Sequence, residues 1–369
     1  MKSNAWGCST VNLPDRILQI AGKTLGDGHP TYFIADIAAN HDADLARAKD
    51  LIYLAAEAGA DAAKFQHFKA DSIVSDQGFK TLGGPQSHQA TWTRSVFDVY
   101  QGASVPMTWT RTLRDTCDRA GIAFFTSPYD LELVDHVDPF VPAFKIGSGD
   151  ITWHEIVQHI AAKGKPTLLA SGASTMDEVV AAVAVALAVN PQVGLMQCNT
   201  NYTADLENYQ FIQLKVLRCY RAMYPEMVLG LSDHTAGHAT VLGAVALGAR
   251  MIEKHFTDNC ARAGPDHHFA MDPKAWRDMV TATRELEAAL GNGIKRVEGN
   301  ERDTAVLQRR SVRLAVDLER GAVLTREHLS VLRPCPAGAI DPTHLDAIPG
   351  RRLARGVKAG ELLQWTDLA

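Results

Sequence analysis

Cysteine is scarce in this chain, and its six cysteines lie far apart with no C-x-x-C pair among them. That spacing excludes a zinc ribbon and a thioredoxin motif. The stretch from Met1 to Thr10 lacks a basic segment followed by an apolar one, so no secretory signal is expected. No apolar run reaches the roughly 20 residues that a membrane helix needs. We therefore expect a protein of the reducing cytoplasm with no membrane partner.

An excess of positive charge is also missing. The formal net charge is −5, and the basic residues are scattered apart from the pairs Arg309–Arg310 and Arg351–Arg352. No global field would attract nucleic acid or an acidic membrane, so neither is expected as a partner. An anionic substrate would instead need cations gathered at one local site.

Short β-type runs alternate with longer helical patterns from about residue 31 onward. Eight such units predict an α/β fold, a (β/α)8 TIM barrel, whose usual length is about 250 residues. The alternative is a doubly wound sheet, which usually has a glycine-rich first turn, whereas Ile37–Asp42 contains no glycine. The predicted strands are Tyr32–Ile37, Ala62–Phe65, Ile122–Phe125, Ala143–Ile146, Thr167–Ala170, Val193–Gln197, Val228–Leu231 and Met251–Phe256.

The predicted domains are an N-terminal hairpin extension (1–30), the barrel (31–291), a charged linker (292–310) and a β-rich module (311–369). The hairpin is expected to turn through Gly26–Gly28 and to lie across the lower face of the barrel. The stretch 70–106 is long for a connection inside a barrel and contains Gly83-Gly84-Pro85, so we expect an active-site loop or a lid there. A module of about 60 residues buries little surface and is expected to pack on the barrel or on a partner subunit.

Polar residues follow nearly every predicted strand, and side chains at the carboxyl ends of barrel strands meet at one site. Lys64 and Lys145 interrupt apolar strands, where a buried ammonium group is costly without an anion. Lysines with hydroxyl groups beside them form a phosphate site. The polar groups at the strand ends include Asp36, Lys64, Gln66, Ser127, Lys145, Ser148, Asp150, Ser171, Thr200, Tyr202, Ser232, His234, His255 and Asp266.

His234 and His255 end neighbouring strands of the predicted barrel. Two imidazoles so placed can hold one divalent metal ion and leave positions open for water or substrate. Mn²⁺ is the first candidate, and Mg²⁺, Co²⁺ or Zn²⁺ would also suit the donors. His267 and His268 fall in a loop and are predicted to lie at the surface.

These residues resemble the sialic acid synthase family, which makes N-acetylneuraminic acid and related nonulosonic acids, over nearly the whole chain from about Phe33. The small C-terminal part resembles the antifreeze-like (SAF) module of that family. The matching segments are Phe33–Asp44 (FIADIAANHDAD), Gly59–Asp71 (GADAAKFQHFKAD), Phe124–Tyr129 (FFTSPY), Ala143–Asp150 (AFKIGSGD), Gly230–Thr235 (GLSDHT), Glu253–Asp258 (EKHFTD), Gly264–His267 (GPDH) and Val331–Pro334 (VLRP).

The resemblance implies a role for individual residues. It makes His234 and His255 the metal ligands, and it makes Arg333 an arginine that reaches from the module of one subunit toward the sugar's acyl group in the barrel of the other. A domain-swapped homodimer is therefore expected. Phosphoenolpyruvate would be held by Lys64, Lys145, Ser127, Ser148 and Ser232, and the sugar by Gln66, Tyr202 and Asp266.

The chain departs from the family pattern at several positions. Asp36 and Asp150 replace glutamates, and Ala170 replaces a serine of the phosphate site, with Ser171 following. The run Cys198–Asp205 replaces C-T-x-x-Y-P-T-P, so that the family's asparagine falls on Thr200. Each aspartate withdraws its carboxylate by one methylene, which predicts a roomier pocket and a different or bulkier sugar.

The expected reaction joins phosphoenolpyruvate to N-acetylmannosamine or a related acylated hexosamine and releases phosphate. Asp36 is the candidate that accepts a proton from the attacking water or stabilises positive charge. Two alternatives stay open. One is another barrel enzyme that condenses phosphoenolpyruvate with an aldose phosphate, which would need a second phosphate site. The other is a non-catalytic carbohydrate-binding or ice-binding protein built around the terminal module.

Overall fold

A computed structural model describes residues 15–82, 89, 92–202 and 205–369 of the chain. The chain divides between Gly291 and Asn292 into a larger and a smaller compact unit. No helix in these described ranges is long and apolar enough to cross a membrane.

The larger unit is a closed barrel of eight parallel strands, which confirms the predicted (β/α)8 fold. Each strand pairs with its neighbours in sequence order. The last strand, β10 (Met251–His255), closes the ring against the first, β3 (Tyr32–Asp36). Nearly every strand residue is buried because the helices cover the outside of the sheet. The strands are β3 Tyr32–Asp36, β4 Ala62–His67, β5 Ala123–Pro128, β6 Phe144–Ile146, β7 Thr167–Ala170, β8 Val193–Cys198, β9 Val228–Asp233 and β10 Met251–His255.

Helices alternate with these strands and begin at residues that cap them. Asp44 accepts hydrogen bonds from the first amides of helix α1 (Leu45–Glu57). Thr175 and Glu178 form a capping box at the start of helix α8 (Met176–Leu187). Gly121 ends α5 in the left-handed conformation, with φ of 74°. The helices of this unit are α1 Leu45–Glu57, α2 Ala70–Ile73, α3 Asp76–Thr81, α4 Val96–Ala103, α5 Thr110–Ala120, α6 Leu131–Val137, α7 His154–Ala161, α8 Met176–Leu187, α9 Val216–Met223, α10 Ala239–Ala246 and α11 Pro273–Leu290.

The N-terminal hairpin pairs β1 (Ile17–Ile20) with β2 (Lys23–Gly26), so its turn is at Ala21-Gly22. The predicted turn through Gly26–Gly28 was wrong. Ala21 and Gly22 both have positive φ, which suits the two central residues of a tight hairpin. The hairpin lies at the amino ends of the barrel strands, where Leu18 is buried beside Gly194 at the start of β8. Residues 1–14 of the predicted extension lie outside the described residues.

The long connection after β4 contains α2, α3 and α4, and its Gly83-Gly84-Pro85 lies outside the described residues. Its helices are short, because the segment between Ala70 and Ala103 is divided among three of them.

The smaller unit has its own apolar core, which includes Val312, Leu314, Ile340 and Leu363. Its strands β11 (Ser311–Leu314) and β12 (Leu329–Leu332) pair antiparallel. The predicted linker differs from the structure, because it contains helix α12 (Arg302–Gln308). The Val306 carbonyl of that helix accepts a hydrogen bond from the Cys335 amide at 2.9 Å, so α12 is part of the smaller unit.

Candidate active site

A cavity of about 440 Å³ opens at the carboxyl ends of the barrel strands. Every barrel residue predicted for the site lines it except Ser171. The reason is the alternation of strand side chains, which turns every second residue of a strand toward the barrel axis. Lys64, for example, is in register with Asp36 of the neighbouring strand, and both side chains point into the barrel.

The base of the cavity holds two buried lysines and two buried carboxylates, Asp36, Lys64, Lys145 and Glu253, which we call the ionic cluster. The Lys64 ammonium lies 2.7 Å from an Asp36 oxygen and 3.6 Å from Glu253. Lys145 donates to Glu253 at 3.2 Å. All four side chains are almost completely buried. The cluster can therefore balance its own charges.

Burial alone would lower the pKa of Lys64, but the Asp36 and Glu253 carboxylates outweigh it and raise that pKa. Burial likewise opposes ionisation of Glu253, yet Lys145 and Lys64 lower its pKa. Glu253 is thus an ionised buried group that holds both ammonium groups. The buried lysines were expected to need an anion, and carboxylates of the chain itself provide one. A phosphate bound beside them stays a prediction.

The Asp36 carboxylate is fixed from three sides. Besides Lys64, it accepts hydrogen bonds from the Ala38 amide at 3.1 Å and from the Gln66 side chain at 3.2 Å. Burial raises its pKa, although Lys64 opposes the shift. A carboxylate so placed can exchange a proton with a group in the cavity.

Hydroxyl groups surround the ionic cluster. The buried Ser127 hydroxyl has no hydrogen-bond partner among the described residues, and Ser232 donates to Glu253 at 3.3 Å. Ser148 accepts from the Gly172 amide at 3.0 Å. A Cβ at Gly172 would lie 1.9 Å from the Thr200 hydroxyl, so the absent side chain lets the Ser148 and Thr200 hydroxyls converge. These groups can donate to an anion.

Ser171 does not reach the cavity. It follows Ala170 by one residue, and one step along a strand reverses the direction of the side chain. Its hydroxyl donates to the Met196 carbonyl at 3.0 Å and accepts from Tyr220 of the outer helix α9 at 2.9 Å. The prediction that Ser171 belongs to the substrate site was therefore wrong, because its hydroxyl bonds to groups outside the cavity.

His234 and His255 face each other across adjacent strands, with ring centroids 5.3 Å apart. The Nδ1 of His234 donates to the Asn199 carbonyl at 3.1 Å. Burial opposes the charged form of His234, but its hydrogen bond with Cys198 outweighs burial and raises its pKa. Burial and then the charges of His234 and the lysines lower the pKa of His255 well below its ordinary value. Its imidazole is neutral, which is the form that binds metals.

These residues fit a divalent metal ion held in part by the protein. In the part of the chain that the structure describes, the buried Nδ1 of His255 has no hydrogen-bond partner and lies 3.9 Å from an Asp266 oxygen. Two imidazoles with a nearby carboxylate suit a borderline divalent ion. Within the described part of the chain, no group of three or more His, Cys, Asp or Glu side chains is arranged to hold a metal ion. The site therefore suits an ion that would take its remaining ligands from substrate or water.

Asp266 lies in the loop after β10, where it accepts from the Ala39 amide at 3.2 Å. Burial raises its pKa to about 6. The next residue, His267, is completely buried and bonds to Thr257 at 2.7 Å and to Asp42 at 3.0 Å. The prediction of a surface position was wrong for His267, because Asp42 and Thr257 enclose it, whereas His268 is exposed.

The side of the cavity away from the sheet is lined by apolar and aromatic side chains. Phe68, Ile73, Val99, Tyr100 and Tyr129 all face it, and we call them the apolar wall. The Phe68 ring packs on those of Tyr100 and Tyr129, with centroids 5.4 and 6.0 Å apart. This wall was not predicted, because its residues come from helices α2 and α4 and from the residues that follow strands β4 and β5.

Asp150 and Tyr202 border the cavity between these two regions. Burial raises the pKa of Asp150 to about 6. The Tyr202 ring packs edge-on to His234, with centroids 4.4 Å apart. Thr203 and Ala204 of the variant run Cys198–Asp205 lie outside the described residues.

Glu253 and Cys198 also line the cavity, although no role was predicted for either. Glu253 precedes His255 by two residues, so the alternation of the strand could have placed it in the barrel. Cys198 ends β8 on the same inward face, with its sulfur 3.7 Å from the Thr200 hydroxyl. Burial raises the pKa of Cys198, but the hydrogen bond and charge of His234 outweigh it and lower that pKa.

Arg333 belongs to the smaller unit and is exposed there. Its Nε donates to the Gln308 carbonyl of α12 at 2.7 Å. The remaining nitrogens of the guanidinium are free of any hydrogen bond within the described residues.

A closed parallel barrel whose strand ends gather lysines, carboxylates and imidazoles is an enzyme architecture, because barrel enzymes place their catalytic side chains there. The chain belongs to the NeuB family, the sialic acid synthases: the family model matches residues 51–295, and the SAF domain model matches residues 309–369. Both parts of the resemblance seen in the sequence are confirmed.

Three relatives illustrate the similarity. The chain is 34% identical to the N,N'-diacetyllegionaminic acid synthase of Legionella pneumophila, covering 94% of this chain and 97% of that protein. It is 30% identical to the human N-acetylneuraminate-9-phosphate synthase, over 86% and 87% of the two chains. The crystal structure of the spore coat polysaccharide biosynthesis protein SpsE of Bacillus subtilis matches with a TM-score of 0.63 and 28% identity, over 96% of this chain and 99% of that chain.

Proposed function

We propose that the protein is a nonulosonic acid synthase that condenses phosphoenolpyruvate with an acylated hexosamine and releases phosphate. The observation that carries the proposal is the ionic cluster beside His234 and His255 in one cavity of a chain of the NeuB family. Lys64 and Lys145 provide the local cations that an anionic substrate needs in a chain whose net charge is −5.

Phosphoenolpyruvate would lie against Lys64 and Lys145. The Ser127, Ser148 and Ser232 hydroxyls would donate to its oxygens, and Thr200 adds a donor beside Gly172. Charge-assisted hydrogen bonds of this kind are roughly twice as strong as neutral ones. Since Glu253 already pairs with both lysines, it also keeps them in position before the substrate arrives.

The reaction joins the methylene carbon of phosphoenolpyruvate to the aldehyde carbon of the open-chain sugar. The aldehyde oxygen takes up a proton and becomes a hydroxyl. Water adds to the cationic carbon that carried the enol oxygen, and Asp36 accepts the proton of that water at its carboxylate oxygen. The carbon–oxygen bond to phosphate then breaks, the second proton of that water leaves with the phosphate, and a 2-keto acid remains. Asp36 returns its proton to the solvent, which balances the proton that the aldehyde oxygen took from it.

A divalent ion, with Mn²⁺ the first choice and Mg²⁺, Co²⁺ or Zn²⁺ as alternatives, would be held by His234 and His255 and would supply Lewis-acid polarisation of a carbonyl oxygen. Gln66, Asp150, Tyr202 and Asp266 would orient the sugar, because each offers a polar group to the same cavity. Orientation of two reactants can lower a barrier by several kcal/mol, on the order of 7–11 in well-aligned cases.

We also propose a domain-swapped homodimer in which Arg333 of one subunit completes the site of the other. The exposed guanidinium supports this role, because its fork can hold an acyl oxygen with defined geometry. The charges of the units are also opposite in sign: the residues from Asn292 onward hold 13 Lys and Arg against 10 Asp and Glu, a net +3, which leaves −8 for the remainder of the −5 total.

The test is phosphate release from phosphoenolpyruvate, measured with and without Mn²⁺ and with a panel of acylated hexosamines. We expect release only when both the metal and an acceptor are present. At a low concentration of phosphoenolpyruvate, Lys145→Met should release phosphate much more slowly than the parent, whereas Lys274→Met, at an exposed lysine of α11, should keep the rate of the parent. Failure of every sugar in the panel would refute the proposal.

The same assay separates the two alternatives. An enzyme that condenses phosphoenolpyruvate with an aldose phosphate would release phosphate with a phosphorylated acceptor and not with the free sugar. The described lining of the cavity offers Lys64 and Lys145 as its only lysines, so a second phosphate would have no cation of its own. A non-catalytic carbohydrate-binding protein would bind sugars without any release of phosphate.

A further inference from the structure

We propose that Lys254 and Asp233, a buried ion pair on the outer face of the barrel, are positioning residues that hold His234 and His255 in place for a divalent metal ion. Both side chains of the pair point away from the cavity, because one step along a strand reverses the direction of the side chain. The inference rests on the metal site of the proposed function and adds the contacts that would hold its ligands. It gives the pair a role in metal affinity that is separate from its effect on the stability of the fold.

The strand pairing of the barrel ends just before His234. The ladder between β9 and β10 ends with Asp233 in register with Lys254, and the ladder between β9 and β8 ends one residue earlier. His234 is therefore one residue beyond the paired part of its strand, whereas His255 still belongs to β10. The position of His234 thus depends on contacts made by the residues on either side of it.

The Lys254 ammonium binds both neighbours of His234. It donates to the Asp233 carboxylate at 2.5 Å and to the Thr235 carbonyl at 2.6 Å. Because Lys254 is itself the residue before His255, one side chain joins the two backbone segments that carry the imidazoles. A shift of one segment relative to the other would break at least one of these hydrogen bonds.

The Asp233 carboxylate holds the same segment from the other side. It accepts hydrogen bonds from the Thr235 amide at 3.3 Å and from the Thr235 hydroxyl at 2.8 Å. The hydroxyl of Thr240, at the start of α10, donates to it at 2.8 Å. These three residues and Lys254 are at most 5% exposed. A buried polar network with its partners in place holds one defined geometry.

The stability of the fold does not account for such a pair. Two apolar side chains of similar size often stabilise a core as well as a buried ion pair or better. An ion pair instead gives its hydrogen bonds a fixed direction, which orients the backbone on both sides of His234. Outer groups that orient metal ligands change metal affinity by about 10–100-fold without touching the ion.

The experiment measures Mn²⁺ binding to the full-length protein, freed of metal by chelation, by titration calorimetry alongside thermal unfolding. We expect Lys254→Met to weaken Mn²⁺ binding by about tenfold or more. It should also lower the unfolding temperature, because it leaves the Asp233 charge buried and unpaired.

The double variant Lys254→Met with Asp233→Asn separates the two effects. It removes the unpaired charge, so its unfolding temperature should return toward that of the parent, but its Mn²⁺ affinity should stay low because the hydrogen bond to the Thr235 carbonyl is still missing. The double variant also serves if Lys254→Met does not fold. Mn²⁺ affinity that returns together with stability would overturn the inference.

Asn190→Ala is the matched control for a loss of stability. Asn190 is as buried as Lys254 but lies before the amino end of β8. Its side chain donates to the Lys165 carbonyl at 2.8 Å and accepts from the Gln192 amide at 2.9 Å. The variant should unfold at a lower temperature and bind Mn²⁺ as the parent does. Equal weakening of Mn²⁺ binding in this control and in Lys254→Met would also overturn the inference.

Failure of the proposed function would look different. A parent protein that binds Mn²⁺ but releases no phosphate with any acceptor would refute the synthase reaction, and the variants would still test the pair by their Mn²⁺ affinity. A parent protein that binds no Mn²⁺ would overturn the inference, because the pair would have no metal site to hold.

Discussion

The ionic cluster and the apolar wall line opposite parts of one cavity, and they are built in different ways. The ionic cluster stands on β3, β4, β6 and β10, whose side chains are held by the register of the barrel. The apolar wall comes mainly from the short helices α2 and α4 of a long connection. Barrel strands fix the positions of groups more rigidly than loops do, which suits the chemistry shared by a family.

Loops, in contrast, can change without disturbing the core, so substrate choice is expected to lie there. We therefore expect the reaction to depend on the strand ends and the selection of the acceptor to depend on the connection after β4.

Replacing either imidazole on the strand side should have the largest effect. His234→Ala or His255→Ala should bring phosphate release below detection, because each removes half of the proposed protein ligands of the metal ion. Far-ultraviolet circular dichroism should remain that of the parent chain. His29→Ala, at an exposed residue near the N-terminal hairpin, is the control and should keep full activity. Full activity of the parent protein after thorough chelation would contradict the metal assignment.

Within the ionic cluster, Lys145→Met should raise the KM for phosphoenolpyruvate by about tenfold or more, since a hydrogen bond to a charged group contributes roughly 1.5–3 kcal/mol. It should also destabilise the fold, because it removes one partner of Glu253. The double variant Lys145→Met with Glu253→Gln removes both charges. Its stability should return toward that of the parent, but its KM for phosphoenolpyruvate should stay high. Steady-state kinetics and thermal unfolding measure the two effects. An unchanged KM would show that Lys145 does not contact phosphoenolpyruvate.

The two regions also differ in how far the sequence could predict them. The strands and their polar ends could be predicted, because lysines such as Lys64 stand out in an apolar run. Glu253 was given no role because its neighbour Lys254 is charged as well, and only the alternation of the strand separates them. Glu253 points into the barrel, and Lys254 points outward to Asp233 at 2.5 Å. Ser171 was also placed wrongly because the alternation of the strand was not applied to it.

The apolar wall could not be predicted in this way. Its residues Phe68 and Tyr129 are brought to Tyr100 by tertiary packing, and no periodic pattern in the chain links the three. His267 is a second example, because the Asp42 that encloses it is distant in sequence. A sequence pattern shows which side chains of one helix or strand share a face. It does not show the contacts that join several helices, strands and loops.

Whether another subunit completes the acceptor side can be tested with two inactive variants. Arg333→Ala should weaken acceptor use, and His234→Ala should abolish turnover. When the two chains are unfolded and refolded together, a swapped dimer contains one site with both defects and one with neither, so activity should partly return. Arg351→Ala, also an exposed arginine of the smaller unit, is the control and should remain active alone. A mixture as inactive as its two parents would show that Arg333 acts within its own chain or not at all.

The smallest effect is expected at Asp150, which borders both regions. Burial raises its pKa in the folded protein to about 6 from an ordinary value of 3.8. The folded form therefore binds more protons than the unfolded form between these values, and the free energy of unfolding falls as the pH rises from about 4 to 6. Asp150→Asn removes the titrating group and with it this fall in the free energy of unfolding. The stability of the variant relative to the parent should rise across that window by up to about 2 kcal/mol, measured by urea unfolding at pH 4.5 and pH 7.5. Asp50→Asn, at an exposed carboxylate of α1, controls for the change in net charge. If both variants show the same pH dependence, burial of Asp150 does not strain the fold, and its carboxylate is more accessible to water than the cavity suggests.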